Sequence, residues 1–420
     1  MSLLLLQMTT VLLVTLFCGW VARRFGQSRV VGEIIGGILL GPSVFGRIAP
    51  HASAALLPQN SLGAFDILST VGLILFLFLI GSQLDYEHLR QQKATASLAS
   101  GMSIILPFAM AAGIAHSMRI RFAPTNVGSL PFVLFLGVSM SITAFPVLAR
   151  ILEERRMQTT PLGATALMCA AVDDVCAWFL LAIALTLIPH KDAAMSLEAR
   201  FVWLVIYLIV MLGVVRPLAK WLTRRNTSTE LSYELLGTII AIVLASAAAT
   251  EAIGIHPLFG AFLAGICFPR IPSWQTSVRK RLDMLVSVLL LPFFFALTGM
   301  RTHLDLLSGT SVWFWTAVVL TVAIGGKIGG AALAARWTGQ TWKNALALGA
   351  LLNCRGLVEL IVLNIAYNAH VFSPTLFTML VVMALITTMI TAPLLDILGI
   401  PKGGDQPPLP PPLHDDAATM

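Results

Sequence analysis

Two consecutive aspartates, Asp173 and Asp174, lie near the middle of an apolar run that extends over residues 162-188. An ionised aspartate at the centre of a membrane-spanning helix costs at least about 2.5 to 3.5 kcal/mol, so a consecutive pair indicates a function. Carboxylate oxygens suit hard cations such as sodium and potassium, and they also bind protons. Because burial favours the neutral carboxyl group, a proton and a metal ion can compete for one side chain. The pair therefore predicts a cation-binding site in which both aspartates are candidate ligands.

The two carboxylates are expected to have different partners, because neighbouring residues on a helix point about 100° apart. A buried cation is available in the apolar run 311-335, where Lys327 is flanked by two overlapping GxxxG patterns, which allow close helix contact: Gly325, Gly326, Gly329 and Gly330. We predict that Lys327 pairs with Asp173 and that this pair breaks when its proton or cation load changes. Asp174 is then the main cation ligand. The alternative is that Lys327 snorkels to the membrane interface.

Two other apolar runs, 129-150 and 344-366, are interrupted near their centres. The first contains Pro146, which removes a backbone donor and disfavours helix at the preceding residue. Irregular backbone persists in a membrane only where it is buried in protein or lines a cavity. The two runs therefore predict a pair of broken helices that cross and hold the ion, with a simple kink as the alternative for the first. The residues at the interruptions are Ser139, Ser141, Thr143, Asn353, Arg355, Gly356 and Glu359. Of these, Ser141 and Thr143 are predicted to contact the ion.

Four further polar residues are candidates for a network around the site. Arg355 and Glu359 are four residues apart, so an ion pair within one helix is favoured over direct contact with the ion. Asn353 and Glu33 complete the candidate network, and Glu33 is either a structural hydrogen-bonding residue or a gate residue. Asp66, at the start of the run 62-82, is predicted to be a solvated carboxylate at a helix start.

The elements that must position these residues are membrane-spanning helices. Of the 420 residues, 57% are hydrophobic and only 11% are charged, which is far from the composition of soluble domains. A spanning helix needs roughly 20 apolar residues, and thirteen runs of about that length predict an all-α membrane protein. The runs are 3-22, 30-46, 62-82, 96-117, 129-150, 162-188, 201-221, 235-253, 256-270, 283-300, 311-335, 344-366 and 374-398.

The distribution of basic residues predicts the orientation of these runs in the cell membrane. Most Lys and Arg residues fall on the loops at one side, and few fall on the opposite loops: Arg47, Arg119, Arg121, Lys191, Arg200 and Arg301. The positive-inside rule then places the N-terminus outside and the C-terminus in the cytoplasm. The residues that follow the last run, 399-420, are rich in proline and polar residues and are predicted to form a disordered cytoplasmic tail.

Several classes of function are disfavoured. The formal net charge of +7 is explained by topology, so a nucleic-acid partner is not expected. The five cysteines lie inside apolar runs without a CxxC pair, which predicts neither a disulfide framework nor a metal cofactor. An intramembrane aspartyl protease would need two carboxylates from different helices that share one proton. Because the two aspartates here are consecutive, we do not expect an enzyme.

An internal repeat is indicated by similar segments at matching places in the two halves of the chain. FLFLIGSQLD at 76-85 resembles PFFFALTGMRTHLD at 292-305, and GGILLGP at 36-42 resembles LAGICFP at 263-269. Two six-helix halves joined by the seventh run would explain this spacing. The segments between matching helices are odd in number, so the second half would be inverted, as in many secondary transporters.

Seven motifs together resemble the monovalent cation/proton antiporter superfamily, and its second branch in particular, which contains sodium or potassium/proton exchangers. The resemblance covers residues 1 to 398 in the order of that family. The motifs are GEIIGGILLGP, LFLIGSQLD, SITAFPVLARIL, AVDDVCAW, FGAFLAGICFPR, GGKIGG and NCRGLVELIVLN.

The resemblance implies a thirteen-helix antiporter domain over 1-398 that acts as a homodimer and moves by an elevator-like alternating-access mechanism. It implies core helices around 96-188 and 311-398, and dimerisation or scaffold helices around 1-60 and 201-270. By the same resemblance, Asp174 binds the transported ion and Asp173 pairs with Lys327. Relatives with this set of residues tend to be electrogenic.

The expected function is therefore secondary antiport of sodium or potassium against protons, with no cofactor. Three alternatives stay open at this point: a potassium efflux system, a channel-like cation carrier of the same fold, and a sodium-coupled solute carrier. The sequence does not decide between sodium and potassium, nor does it give the stoichiometry.

Overall fold

The structure is a computed structural model that describes residues 2-58, 62-83, 95-124, 127-157, 160-186, 197-225, 232-253, 257-269 and 272-401. Every regular element in these ranges is a helix, so the predicted all-α class is confirmed. The predicted tail lies outside the described residues from position 402 onward.

The helices follow one another with short connections. They are α1 (Ser2–Arg24), α2 (Arg29–Leu40), α3 (Phe45–Ile48), α4 (Pro50–Leu56), α5 (Leu62–Gln83), α6 (Thr95–Phe122), α7 (Ser129–Ser141), α8 (Phe145–Glu154), α9 (Pro161–Thr186), α10 (Leu197–Val210), α11 (Arg216–Arg225), α12 (Tyr233–Ala252), α13 (Pro257–Cys267), α14 (Pro272–Leu285), α15 (Leu291–Met300), α16 (Thr310–Trp337), α17 (Trp342–Leu352), α18 (Leu357–Asn368) and α19 (Pro374–Ile397). Short π-helical segments, Met211–Val215 and Val286–Leu290, join α10 to α11 and α14 to α15. A 3-10 turn, Leu304–Leu306, precedes α16.

The described helices make the chain a multi-pass membrane protein. Nine of them are long and apolar enough to cross a membrane, or ten if the bent pair α17 and α18 counts as one span. The helices of that pair meet at 45°, and three shorter apolar helices, 63-79, 129-141 and 257-267, are also present among the described residues. Each of the thirteen predicted runs overlaps a helix or a helix pair. The number of spans stays a prediction, because length and composition assign only nine or ten.

Two helix crossings are so close that each depends on a pair of glycines. Helix α2 packs on α15, where a Cβ atom on Gly299 would lie 2.7 Å from the Cα atom of Gly37. Helix α13 packs on α5, where a Cβ atom on Gly81 would lie 3.2 Å from the Cα atom of Gly265. Backbones that approach this closely leave no room for a side chain at either position. The four helices are those with similar sequences, α5 with α15 and α2 with α13, and each crossing joins one helix from each similar pair.

Helices α6 and α16 pack closely on each other, and the aspartate helix α9 lies against α6. A Cβ atom on Gly326 would lie 2.8 Å from the Cα atom of Pro107, and Gly330 meets the backbone of Met102. Gly325 has no atom of another residue in its way. One of the two predicted GxxxG patterns, Gly326 with Gly330, therefore makes the close contact. Helix α9 then contacts α6, α7, α8 and α17.

Substituting a crossing glycine is expected to destabilise the protein, whereas substituting an open one is not. In Gly37→Ala the new methyl group meets the backbone of Ala296, and overpacking of this kind costs about 1 to 3 kcal/mol. Gly325→Ala is the matched control, because alanine at an open helical position stabilises by about 0.4 to 1 kcal/mol. Thermal unfolding of the purified protein in detergent measures both. Equal melting temperatures for the two variants would contradict the assigned crossing.

Candidate ion-binding site

Helix α9 carries Asp173 and Asp174 into the interior of the protein, where their exposed fractions are 1% and 3%. The helix is apolar on either side of the pair, so both carboxylates must find partners in neighbouring helices rather than in solvent. The structure gives the two residues different surroundings, as the angle between adjacent helical positions requires.

Asp173 is surrounded by hydrogen-bond donors. Its Oδ1 atom accepts from the Ser100 hydroxyl at 2.7 Å, and its Oδ2 atom accepts from the Ser103 hydroxyl at 3.1 Å. Oδ2 also accepts from the Thr143 hydroxyl at 2.6 Å and from the Lys327 ammonium at 2.8 Å. Four donors from α6, α16 and the interruption after α7 bond to its two oxygens, and hydrogen bonds of this kind hold a carboxylate in a fixed position.

Lys327 is fully enclosed, with 0% of its surface exposed. Besides the ion pair with Asp173, its Nζ atom donates to the backbone carbonyl oxygen of Ser141. Ser141 is the last residue of α7, so the ammonium meets the negative end of that helix. The lysine lies in the protein interior rather than at the end of a snorkelling side chain. The geometry brings it together with Asp173, the partner predicted from the sequence.

Asp174 has a different environment. Its Oδ1 atom is buried and has no hydrogen-bond partner among the described residues. The backbone N–H of Phe145 donates to its carboxylate, and Phe145 is the first residue of α8. The positive end of that helix therefore faces the carboxylate. An anion with one free oxygen at a helix N-terminus is suited to bind a proton or a small cation.

The two broken helices cross beside the aspartates. The first interruption separates α7 from α8 at residues 142-144, and the second separates α17 from α18 at residues 353-356. The Ala144 N–H donates to the Cys354 carbonyl oxygen at 3.0 Å, and the Thr143 hydroxyl oxygen lies 2.9 Å from the Leu352 carbonyl oxygen. Each interruption thus satisfies polar backbone groups of the other, which lets both exist inside a membrane protein.

Arg355 makes contacts that sequence spacing did not predict. Its Nη1 atom donates to the Ser139 carbonyl oxygen at 2.8 Å, and its Nη2 atom donates to the Met140 carbonyl oxygen at 2.7 Å. The guanidinium therefore caps the C-terminal end of α7, where helix carbonyls lack intrahelical partners. The predicted pair with Glu359 is present but longer, at 3.4 Å between Nη1 and Oε1. Glu359 Oε2 is buried without a partner among the described residues.

The hydroxyls of Ser141 and Thr143 are engaged by protein atoms. The Ser141 hydroxyl donates to the Val138 carbonyl oxygen within its own helix at 3.2 Å, and the Thr143 hydroxyl supports Asp173. Asn353 lies in the second interruption and donates from Nδ2 to the Thr387 carbonyl oxygen at 3.4 Å. Thr143 therefore contacts Asp173 directly, whereas the side chains of Ser141 and Asn353 bond to backbone carbonyl oxygens.

Glu33 and Asp66 have partners outside the predicted network. Glu33 pairs with Arg29, one turn earlier in α2, at 2.6 Å. The Asp66 side chain is 45% exposed, in keeping with the expected solvated carboxylate, and it also pairs with Arg301 at 2.9 Å. Arg301 donates in addition to Asn364 at 3.0 Å. The sequence could not indicate this pair because its members come from different halves of the chain.

Sequence reasoning also missed three hydroxyl groups. Ser100 and Ser103 bind Asp173, and they are three residues apart on one face of α6, a spacing that could have indicated a polar stripe. Thr388 accepts from the Arg355 N–H at 3.0 Å and donates to the Arg355 carbonyl oxygen at 2.7 Å. Single threonines in an apolar helix give no comparable signal, because they often bond their own backbone.

Comparison with known proteins identifies the family. The sequence model described as "Sodium/hydrogen exchanger, transmembrane" matches residues 12–398, which is more than nine-tenths of the chain. The chain belongs to the sodium/hydrogen exchanger family. The exchanger is 40% identical over 380 residues to the Na(+)/H(+) antiporter NhaS4 of Synechocystis sp., an alignment that covers 90% of this chain and 92% of that protein.

Other relatives are longer than this exchanger. It is 38% identical over 405 residues to cation/H(+) antiporter 17 of Arabidopsis thaliana, and 31% identical over 424 residues to K(+)/H(+) antiporter 1 of Saccharomyces cerevisiae. These alignments cover 96% and 97% of the exchanger but 49% and 48% of the plant and yeast proteins, so it spans about half their length. The predicted resemblance to cation/proton antiporters is confirmed.

A solved structure supports the fold. The exchanger resembles the sodium proton antiporter MjNhaP1 from Methanocaldococcus jannaschii with a TM-score of 0.65 and 15% sequence identity. The match covers 95% of the exchanger and 98% of the archaeal protein. At this identity the likeness concerns the fold, and the two chains have the same overall helical arrangement.

Removing the charge of Lys327 is expected to destabilise the exchanger strongly, because Asp173 would remain as an unpaired buried anion. Breaking one side of a buried ion pair costs about 3 to 5 kcal/mol. Lys327→Met should lower the melting temperature in detergent, and the double variant with Asp173→Asn should recover much of the loss. Lys343→Met, at an exposed lysine, is the control. Strictly additive effects of the two substitutions would contradict the pair.

Proposed function

We propose that this exchanger is a secondary antiporter that moves a monovalent cation, sodium or potassium, against protons by alternating access, with Asp174 as the group for which the two compete. Its family and the exchange activities for which its relatives are named support cation/proton exchange. The observation that carries the assignment to Asp174 is the contrast between neighbours: Asp173 has four donors, whereas Asp174 has a free, buried oxygen.

The proposed exchange at Asp174 follows from its surroundings. A proton neutralises the carboxyl group, which suits a buried position. A cation must be stripped of water before it can bind there, and the carboxylate oxygens replace part of its hydration shell. The end of α8 stabilises the ionised carboxylate between these two events through its backbone N–H groups. Because one group cannot hold both ligands, release of the proton on one side is coupled to uptake of the cation.

Asp173 and Lys327 are proposed to make the exchange electrogenic. When Asp174 binds its ligand, the electric field at the ion pair of Asp173 and Lys327 changes. The two side chains then separate, and the pair gains or loses a proton. If a second proton moves with each cycle, two protons are exchanged for one cation and net charge crosses the membrane. The location of the pair against the end of α7 supports this role, because the Ser141 carbonyl can keep the ammonium in place while Asp173 is released.

We further propose a thirteen-span fold of two inverted six-helix repeats. Three relations between helices support it. The glycine crossing of α2 with α15 matches the crossing of α13 with α5, as a pseudo-two-fold axis requires. Helices α6 and α16, at corresponding places in the two halves, pack on each other. The interruptions of α7–α8 and α17–α18, also at corresponding places, cross at the aspartates.

The proposal includes a division into two parts and an orientation. Helices around 96-188 and 311-398 form the core that carries the ion, and helices around 1-60 and 201-270 form the scaffold. The core would move past the scaffold like an elevator, in a homodimer in the cell membrane, with the N-terminus outside and the C-terminus in the cytoplasm. The transported cation and the proton are substrates, and the proposal needs no resident cofactor.

The first test removes the charge of Asp174. Asp174→Asn keeps the size of the side chain but cannot release a proton or balance a cation. In everted vesicles, sodium or potassium added to the wild type should dissipate an imposed pH gradient, and the variant should lose at least about 100-fold of this rate. Asp305→Asn, on the loop before α16, is the control. A variant as active as the wild type would overturn the assignment, and lithium in parallel assays would help to define the preferred cation.

The second test concerns net charge movement. If the Asp173 and Lys327 pair carries a second proton, the wild-type rate should respond to membrane potential, which is worth about 2.3 kcal/mol per elementary charge at 100 mV. Asp173→Asn is expected to weaken this response while exchange continues. Reconstituted vesicles with a potassium and valinomycin potential measure it. An unchanged voltage dependence would remove the pair from the coupling mechanism.

A further inference from the structure

A cavity of about 160 Å³ lies between the proposed scaffold and the proposed core, away from the two aspartates. The scaffold contributes Ser28 and Glu33 at the start of α2, and the π-helical segment before α15, which lies outside the ranges of both parts, contributes Ser287. The core side contributes Val147 of α8 and Leu357 of α18. The cavity has room for a monovalent cation with several water molecules. Most of its wall is apolar, and a few polar side chains face it.

The polar atoms of this cavity are those that a hard monovalent cation prefers. Glu33 supplies a carboxylate, and Ser28 and Ser287 supply hydroxyl oxygens. Asp283 adds negative charge nearby, since the Ser287 hydroxyl donates to its Oδ1 atom at 3.1 Å. Ser287 belongs to a π-helical segment, and such segments often occur at functional sites because they redirect side chains.

The ion pair between Glu33 and Arg29 is poorly suited to stabilising α2. Arg29 lies at the N-terminus of α2, where the helix dipole disfavours a cation. A basic residue four positions before an acidic one is also the weaker order for a pair on a helix. The side chain of Glu33 is 4% exposed, whereas that of Arg29 is 20% exposed. The Glu33 carboxylate is thus more enclosed than the Arg29 side chain, whose Nη2 atom is buried without a hydrogen-bond partner among the described residues.

The cavity adjoins the element that holds Asp174. Val147 forms part of its wall and packs on the second interruption, since a Cβ atom on Gly356 would lie 2.6 Å from Val147 Cγ2. Two residues before Val147, Phe145 donates its N–H to the Asp174 carboxylate. Less than one turn of α8 therefore separates the cavity wall at Val147 from Phe145, which contacts Asp174.

We propose that this cavity is a second, transient cation site, in which Glu33 holds a partly dehydrated monovalent cation on its way between the cytoplasm and Asp174, and in which Arg29 competes with the cation for Glu33. This inference rests on the proposed function and on the proposed orientation. When a cation enters, Arg29 releases the carboxylate and turns to solvent. When the cation leaves, the Arg29 and Glu33 pair re-forms, so the cavity does not retain an unpaired buried charge.

Two substitutions on the same ion pair separate this role from a structural one. Glu33→Gln removes the ligand, so the KM for sodium or potassium in everted vesicles should rise about tenfold, which corresponds to about 1.4 kcal/mol. The maximal rate should change less than twofold. Arg29→Gln removes the competitor, so the KM should fall. If the pair only stabilised α2, both variants would lose stability and the two KM values would not move in opposite directions.

The controls distinguish this inference from the proposed function. Glu234→Gln, at an exposed carboxylate in the first turn of α12, should leave the KM unchanged, and Glu33→Asp should retain most of the wild-type affinity. Thermal unfolding in detergent shows whether each variant is folded. Suppose that Asp174→Asn abolishes exchange, and that the KM values of Glu33→Gln and Arg29→Gln either equal the wild-type value or both rise. The proposal of a second site is then wrong, and the antiport assignment stands. If Asp174→Asn exchanges normally, the proposed function itself fails.

Discussion

Ionised groups at the centre of this protein have lost their hydrating water, and the surrounding structure must replace it. Asp173 and Lys327 are both enclosed by protein, and an ion in such a position is tolerated only when other charges and donors replace its hydration. Three hydroxyl groups and one ammonium do so for Asp173. The adjacent Asp174 receives less, because its position on the helix points toward α8 instead of toward α6 and α16. Asp173 accepts hydrogen bonds from four side chains, whereas Asp174 Oδ1 has no partner among the described residues. We relate the separate proposed roles of the two residues to this difference.

The broken helices follow from the same constraint. An intact helix has only two ends, and both lie near the membrane surface, far from a buried ion. Interrupting α7–α8 brings a negative end and a positive end to the middle of the protein. The negative end meets Lys327 and Arg355, and the positive end meets Asp174. The second interruption supplies the donors and acceptors that the first cannot find in lipid.

Helix packing determines how firmly these ends are held. The glycine crossings of α2 with α15 and of α5 with α13 bring backbones into direct contact, and interiors packed in this way do not deform gradually. The cavity beside Glu33 lies where these crossings meet α8 and α18. Rigid crossings of this kind are consistent with the proposed movement of whole groups of helices relative to one another.

The sequence by itself determined the features that are local. Apolar runs, their interruptions at residues 142-144 and 353-356, and the unusual burial of Asp173, Asp174 and Lys327 follow from residue type and spacing, since insertion into lipid acts on each segment of about 20 residues. Only the tertiary structure decided the partners. Ser100 and Ser103 donate hydrogen bonds to Asp173. Arg355 bonds to the end of α7 as well as to Glu359, and Arg301 bonds to Asp66. Serine, threonine and arginine can satisfy their hydrogen bonds in many ways, so their choice depends on which helices approach one another, and that depends on packing across the whole chain.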